Sequence, residues 1–241
     1  MARGQPDYGA YRAASVGAGL SDMAELAARL GSINRYDQRG RVVDYDDFET
    51  PYLNWQDESI SLSQVALYPT LGKSGLQCLK CLAGGSLNDY ARVVRYYDLL
   101  PSGRIGIEVF WTACPAGTTL ELQLARITAT REIQGKLLLN FDTNVVSIFN
   151  PTAGYTVLPV TLNVTNAFPV WYLVKLVIDC TTEKYVKLIL AGAEHDLSSY
   201  PLYYSAVGGA NEMLVGLKVE NIGGASPLVY LDDYILTQDE P

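Results

Sequence analysis

The stretch Val229-Tyr230-Leu231-Asp232-Asp233-Tyr234-Ile235-Leu236-Thr237 carries two adjacent acids through an otherwise apolar run near the end of the chain. It reads as a strand. Strict alternation puts Tyr230, Asp232 and Tyr234 on one face, with Val229, Leu231, Asp233 and Ile235 on the other. An echo, Val42-Val43-Asp44-Tyr45-Asp46-Asp47-Phe48-Glu49, stands some forty residues into the sequence. The pairing suggests one sandwich whose first and last strands lie side by side, with acids that keep sheet edges from pairing with strangers.

Between these ends the period stays at two. Ile105, Ile107, Val109 and Trp111 alternate with Gly106, Glu108 and Phe110, and Leu120, Leu122 and Leu124 alternate with Glu121, Gln123 and Ala125. Period two marks half-buried strands. Lys136 to Phe141, Trp171 to Ile178, Tyr185 to Leu190, Met213 to Val219 and Leu228 to Leu236 continue in this style. Pro101-Ser102-Gly103, Pro115-Ala116-Gly117, Asn150-Pro151-Thr152, Gly208-Gly209 and Gly223-Gly224 supply turns. Many short strands without alternating helices indicate an all-β, antiparallel sandwich.

Residues 1 to 19 show no sustained period and read as an extended arm. Stretched out, such an arm reaches about 60 Å at about 3.3 Å per residue, enough to touch a neighbouring subunit. One short helix follows, from about Asp22 to Leu30, with Leu20, Met23, Leu26 and Leu30 on its apolar stripe, Asp22 and Glu25 as a cap and Gly31 as the stop. Asp37-Gln38-Arg39-Gly40 reads as a turn. The expected division is an arm with helix over 1–41 and a sandwich over 42–241.

Of the 241 residues 49% are hydrophobic and 18% charged, which suits a globule with a large core. The net charge of -8 disfavours nucleic-acid partners and anionic membrane surfaces. The N-terminus lacks the apolar core of a signal peptide, so the chain is expected to be made in the cytoplasm. Cys78 and Cys81 have the spacing of half a zinc knuckle, but Cys114, Cys180 and the single histidine, His195, stand apart, so buried free thiols are expected.

Trp171 to Asp179, Thr182-Glu183-Lys184-Tyr185, Val186 to Leu190 and Ala191-Gly192-Ala193 together resemble the paired strands of concanavalin-like lectin and laminin-G-like jelly rolls. The end strands, Asp46-Asp47-Phe48-Glu49 and Val229 to Asp233, are similar to those of carbohydrate-binding jelly rolls. The resemblance covers about residues 42 to 238 and implies a jelly-roll β-sandwich. It also implies a possible structural calcium between first and last strands, with Glu49, Asp232 and Asp233 as ligands; solvated edge acids are the other reading.

Glycosidases of this fold carry a Glu, Asp, Glu series on one strand, and no such series occurs here. Glu108 and Glu121 each stand on the polar side of a strand and are the one pair that could face each other. A His195-based triad lacks a nucleophile elbow, and Gly72-Lys73-Ser74 lacks the upstream glycine of a phosphate loop. A non-enzyme is therefore expected.

Seventeen tyrosines against five phenylalanines favour contact surfaces. Tyr96, Tyr97, Tyr200, Tyr203 and Tyr204 are the candidate sugar-binding residues; half-buried strand positions are the alternative use of such tyrosines. The opening nine residues resemble those of virion-associated proteins. The expected function is a non-enzymatic structural subunit of a viral particle or other extracellular assembly. It would contact copies of itself or capsid and tail proteins through Tyr8, Tyr11, Leu20, Met23, Leu26 and Leu30. A glycan-binding module is the alternative, and a jelly-roll glycoside hydrolase or lyase the third reading.

Overall fold

The structure is a computed structural model that describes residues 39–112, 115–152, 154–164, 170–206, 209–223 and 225–241. The expected helix and all six arm residues lie outside the described residues. Sixteen strands follow in order: β1 (Arg41–Asp46), β2 (Gln56–Asp57), β3 (Gln64–Pro69), β4 (Gln77–Leu82), β5 (Tyr90–Asp98), β6 (Arg104–Thr112), β7 (Thr118–Ile127) and β8 (Glu132–Asn140). The rest are β9 (Val145–Asn150), β10 (Gly154–Thr161), β11 (Tyr172–Asp179), β12 (Lys184–Leu190), β13 (Ala193–Asp196), β14 (Tyr203–Ser205), β15 (Glu212–Asn221) and β16 (Leu228–Gln238). No helix occurs among the described residues.

The strands form two antiparallel sheets. The first runs β13-β12-β11-β6-β16-β4-β3, with β1 also against β16; the second runs β10-β9-β8-β7-β15-β5-β2, with β14 on β8. Neighbours in a sheet are mostly distant in sequence, as in a jelly roll. The first and last strands do meet, with Arg41 opposite Gln238 and Asp46 opposite Tyr234.

The strict alternation expected along the last strand does not hold. An extra residue between Asp232 and Ile235, with Asp233 at φ +49°, makes a bulge against β6. A bulge shifts the side-chain phase by one residue. Val229 and Leu231 therefore point into the core before it, while Tyr234 and Leu236 do so after it. The same bulge is where β16 changes partner on one side, pairing Leu228–Leu231 with β4 and Tyr234–Gln238 with β1.

The core is filled by the inward rows expected from the sequence: Ile105, Ile107, Val109 and Trp111 facing Leu120, Leu122 and Leu124, joined by Val215 and Leu217. Burying each such side chain contributes about 1.5–3 kcal/mol. Tyr185 crosses this core. Its hydroxyl accepts from the Lys136 amide at 3.0 Å and donates to the Phe149 carbonyl at 2.7 Å, which ties β12 to the backbone of β8 and β9. Beside it the sheets approach so closely that a Cβ at Gly135 would lie 2.6 Å from Ile178. Cys78, Cys81 and Cys180 are buried free thiols, as expected; Cys114 lies outside the described residues.

On the outer face of the first sheet Glu240 closes the chain end. Its carboxylate lies 2.7 Å from the Lys175 ammonium, which has no exposed side-chain surface, and accepts a hydrogen bond from Thr237. Gly106 makes the room, since a Cβ there would meet Thr237 at 2.6 Å and Glu240 at 3.0 Å. Glu240→Ala removes the shortest ion pair of the buried Lys175 ammonium, which keeps Glu108 at 3.8 Å and the Arg39 carbonyl at 3.3 Å, and should cost about 2 kcal/mol, lowering the melting midpoint by roughly 4–8 °C. Asp239→Ala removes only the exposed pair with Arg41 and should shift the midpoint far less, a contrast that parallel thermal melts measure.

Candidate functional site

The outward row of the second sheet is polar where it crosses its central strands. Alternation sends Tyr90 and Arg92 of β5, Lys218 of β15, Glu121 and Gln123 of β7 and Lys136 of β8 to the same side, where they line a depression of about 330 Å³. Strand pairing brings them together, with Lys218 opposite Glu121 and Arg92, and Gln123 opposite Lys136. Beside these, on β15, stand a second carboxylate, Glu220, and Gly216, whose missing side chain leaves space over Gln123 and Arg92.

Two strands, β9 and β8, lie between β10 and β7, which sets them about 14 Å apart in a flat sheet. Yet the Tyr155 hydroxyl of β10 donates a hydrogen bond to Glu121 of β7. The two side chains reach toward each other across β8 and β9, so the phenol bounds one side of the depression and makes it a groove. Burial, then the Glu121 charge, holds the Tyr155 phenol well above its ordinary range, so it is a fixed donor.

The charges in the groove are ordered. The Lys218 ammonium lies 2.8 Å from Glu220 Oε2 and 3.7 Å from Glu121 Oε2, so two carboxylates from paired strands converge on one cation. Their oxygens are no farther apart than those two distances laid end to end. Arg92 bridges Glu58 at 2.8 Å and Gln123 Oε1 at 3.0 Å. Lys136 lies over the Phe149 ring at 5.3 Å, and that ring sits between Tyr155 at 5.3 Å and Tyr203 at 5.0 Å. The groove thus combines acids, hydrogen-bonding groups and an aromatic wall.

The five candidate tyrosines divide. Tyr203 belongs to the aromatic wall, and Tyr96 is exposed on the outward row of β5, its hydroxyl 3.4 Å from Glu58. Tyr97 points inward, donating to Asp44 at 2.6 Å and meeting the Tyr234 hydroxyl at 3.0 Å. Tyr200 packs against the core. Tyr204 is exposed beneath the Arg131 guanidinium, on the opposite row of β14 from Tyr203. Glu108 and Glu121 do not face each other, because they stand on different sheets; Glu108 lies 3.8 Å from Lys175. His195 lines a separate side cleft with Pro159 and Leu190. Sequence reading missed Arg92, Gln123, Lys136, Tyr155, Lys218 and Glu220, whose only signal was polarity at alternate positions of strands not yet known to be neighbours.

The acids named as calcium ligands hold a loop. Glu49 Oε1 accepts from the Leu76 and Gln77 amides, both at 2.6 Å, and Asp232 Oδ2 from the Lys73 amide at 2.6 Å. The Lys73 ammonium lies 2.6 Å from Asp233. Gly72-Lys73-Ser74 therefore serves carboxylates, and no group of three or more metal-ligating side chains occurs among the described residues.

No protein-family model matches the sequence, and no curated protein resembles it closely enough to count as a relative. Solved structures do share the fold. An endo-beta-1,4-glucuronan lyase from Trichoderma reesei matches with a TM-score of 0.55 at 11% identity, covering 82% of this chain and 95% of its own. A laminarinase catalytic domain from Thermotoga maritima gives 0.52 at 12% identity, over 84% and 100%. A protein of unknown function with a galectin-like fold from Bacillus subtilis gives 0.50 at 11%, over 83% and 97%. The fold is thus a concanavalin-like jelly roll, as the strand motifs implied. These matches overturn the expectation of a non-enzymatic virion subunit: two of the three structures are enzymes, none is a virion component, and the argument for a subunit rested on nine N-terminal residues outside the described ones.

With a lysine ammonium and loop amides on the end-strand carboxylates, a chelator should leave the melting midpoint unchanged. A cation bound only by the folded chain would raise it. Melts with added calcium and with chelator check this, and a calcium-dependent rise would show that the acids hold a metal.

Proposed function

We propose that this chain binds a polysaccharide strand along the groove of the second sheet and cleaves its glycosidic bonds, with Glu121 and Glu220 as the acting carboxylates. The observation that carries the reading is the convergence of those two acids on Lys218 within one groove. Glycosidic cleavage needs paired carboxyls, about 5–5.5 Å apart when one attacks the sugar and wider when water does. The shared ammonium holds one oxygen of each acid no farther apart than its two contacts allow, which does not exceed the lower limit of the wider range. Support comes also from the glycan-degrading enzymes named among the matching folds.

The roles follow from the surroundings. Glu121 accepts from Tyr155 and faces Lys218, two contacts that fix its carboxylate in place and suit a nucleophile or base. Glu220, on the paired strand and 2.8 Å from the same ammonium, is the second carboxyl and serves as the proton donor to the leaving oxygen. Phe149, Tyr203, Tyr90 and Tyr96 offer flat faces to sugar rings, while Gln123 and Arg92 hydrogen-bond hydroxyls.

An eliminative reaction is the second reading, favoured by the cations Arg92 and Lys136, which would neutralise a uronate carboxylate. The products separate the two, because elimination leaves a new double bond that absorbs in the ultraviolet and hydrolysis does not.

On a panel of β-glucans and glucuronans, the wild-type chain should release new reducing ends. Glu121→Gln should lower that rate by about 10²-fold or more while oligosaccharide binding persists. Tyr155→Phe should cost less, about 10-fold, by loosening Glu121. Unchanged cleavage by Glu121→Gln, or a wild-type chain inert on every polysaccharide, would reject the reading.

A further inference from the structure

The bulge of the last strand carries a cluster that glycan chemistry does not use. The Lys73 ammonium lies 2.6 Å from Asp233 Oδ2, with side-chain exposures of 3% and 0%. The Phe110 ring sits 3.7 Å from the ammonium, and the Ser74 hydroxyl donates to the other Asp233 oxygen at 2.6 Å. Asp232 is adjacent, its Oδ1 accepting from the Asp233 amide at 2.8 Å. Nucleophile, electrophile and a neighbouring carboxyl are thus held together away from water.

In water an amine and a carboxylate do not condense, because both are charged and hydrated. Here the two meet with almost no side-chain surface exposed, and the short hydrogen bond between them already lies along the path of proton transfer. Fixing the reacting groups replaces a bimolecular encounter with a unimolecular step. We infer that Lys73 and Asp233 condense, without any other enzyme, to an isopeptide bond that ties the 70–77 loop covalently to the last strand.

The step balances within the cluster. Lys73 Nζ gives one proton to Asp233 Oδ2, leaving a neutral amine beside a neutral acid. The amine lone pair attacks Asp233 Cγ, and Ser74 stabilises the oxygen that gains charge. A second proton moves from nitrogen to the departing oxygen, the Cγ–O bond breaks, the Cγ–Nζ bond remains and one water leaves. No oxidant or cofactor is required. Asp232 accepts from the Lys73 and Asp233 amides and so holds the two reacting residues in register.

Intact-mass measurement of the full chain tests this. Wild-type protein should be lighter than its sequence by one water, and trypsin should fail to cut after Lys73, yielding one peptide pair that joins Lys73 to Asp233. Lys73→Arg keeps the charge but not the nucleophile, so it should show the full sequence mass. Asp233→Asn should cross-link with loss of ammonia in place of water, which a plain ion pair cannot mimic. A wild-type chain of full mass, or a loss of water that maps to other residues, would overturn the inference.

Discussion

The bulge at Asp232 and Asp233 is the constraint on which the rest of the sandwich depends. One strand, β16, must serve β6 along one side and two different partners, β4 and then β1, along the other. A regular strand cannot face the core with one phase against β4 and the opposite phase against β1. The extra residue resolves this, sending Val229 and Leu231 inward on one side and Tyr234 and Leu236 on the other. Its consequence is that two carboxylates leave the ladder at one point. They are satisfied by the 70–77 loop, which supplies an amide, a hydroxyl and an ammonium to them. Fold closure and the buried Lys73 cluster are therefore one feature.

From that closure the functional face is built outward. The first sheet supplies a rigid floor, and Tyr185 reaches from it through the core to hold the backbone at Lys136 and Phe149. Those two residues form one wall of the groove. The other wall rests on β5 and β15, paired over nine residue positions, so Arg92 and Lys218 sit on regular, well-fixed strands. A site on strands holds its geometry better than one on loops. In a chain of net charge -8, Arg92 and Lys218 pair there with Glu58, Glu121 and Glu220, and Lys136 stands beside them.

Period two along Ile105–Trp111 and Leu120–Leu124 was enough to read strands, their inward rows and the all-β class, because burial imposes that period on every half-buried strand. The meeting of the two ends was legible too, from their shared acids. The bulge was not, since Asp233 offers no glycine to signal its positive φ, and the expected faces of β16 were wrong beyond it. The groove was least legible. Glu121 stood out as a polar strand residue, but its partner Tyr155 lies 34 residues on and Glu220 farther still, and only the strand order β10-β9-β8-β7-β15-β5 brings them to it. Tyr97 misled for the same reason: its neighbour Tyr96 faces the groove, while alternation turns Tyr97 toward Asp44 in the interior.

The most direct test is a crystal structure of the Glu121→Gln chain soaked with oligosaccharides of the glucan and glucuronan classes. Sugar rings should lie across β5, β15, β7 and β8, with a glycosidic oxygen between residues 121 and 220 and a ring against Phe149 or Tyr203. Sugar bound at the side cleft of Pro159 and His195, or on the outer face of the first sheet with the groove empty, would contradict the account.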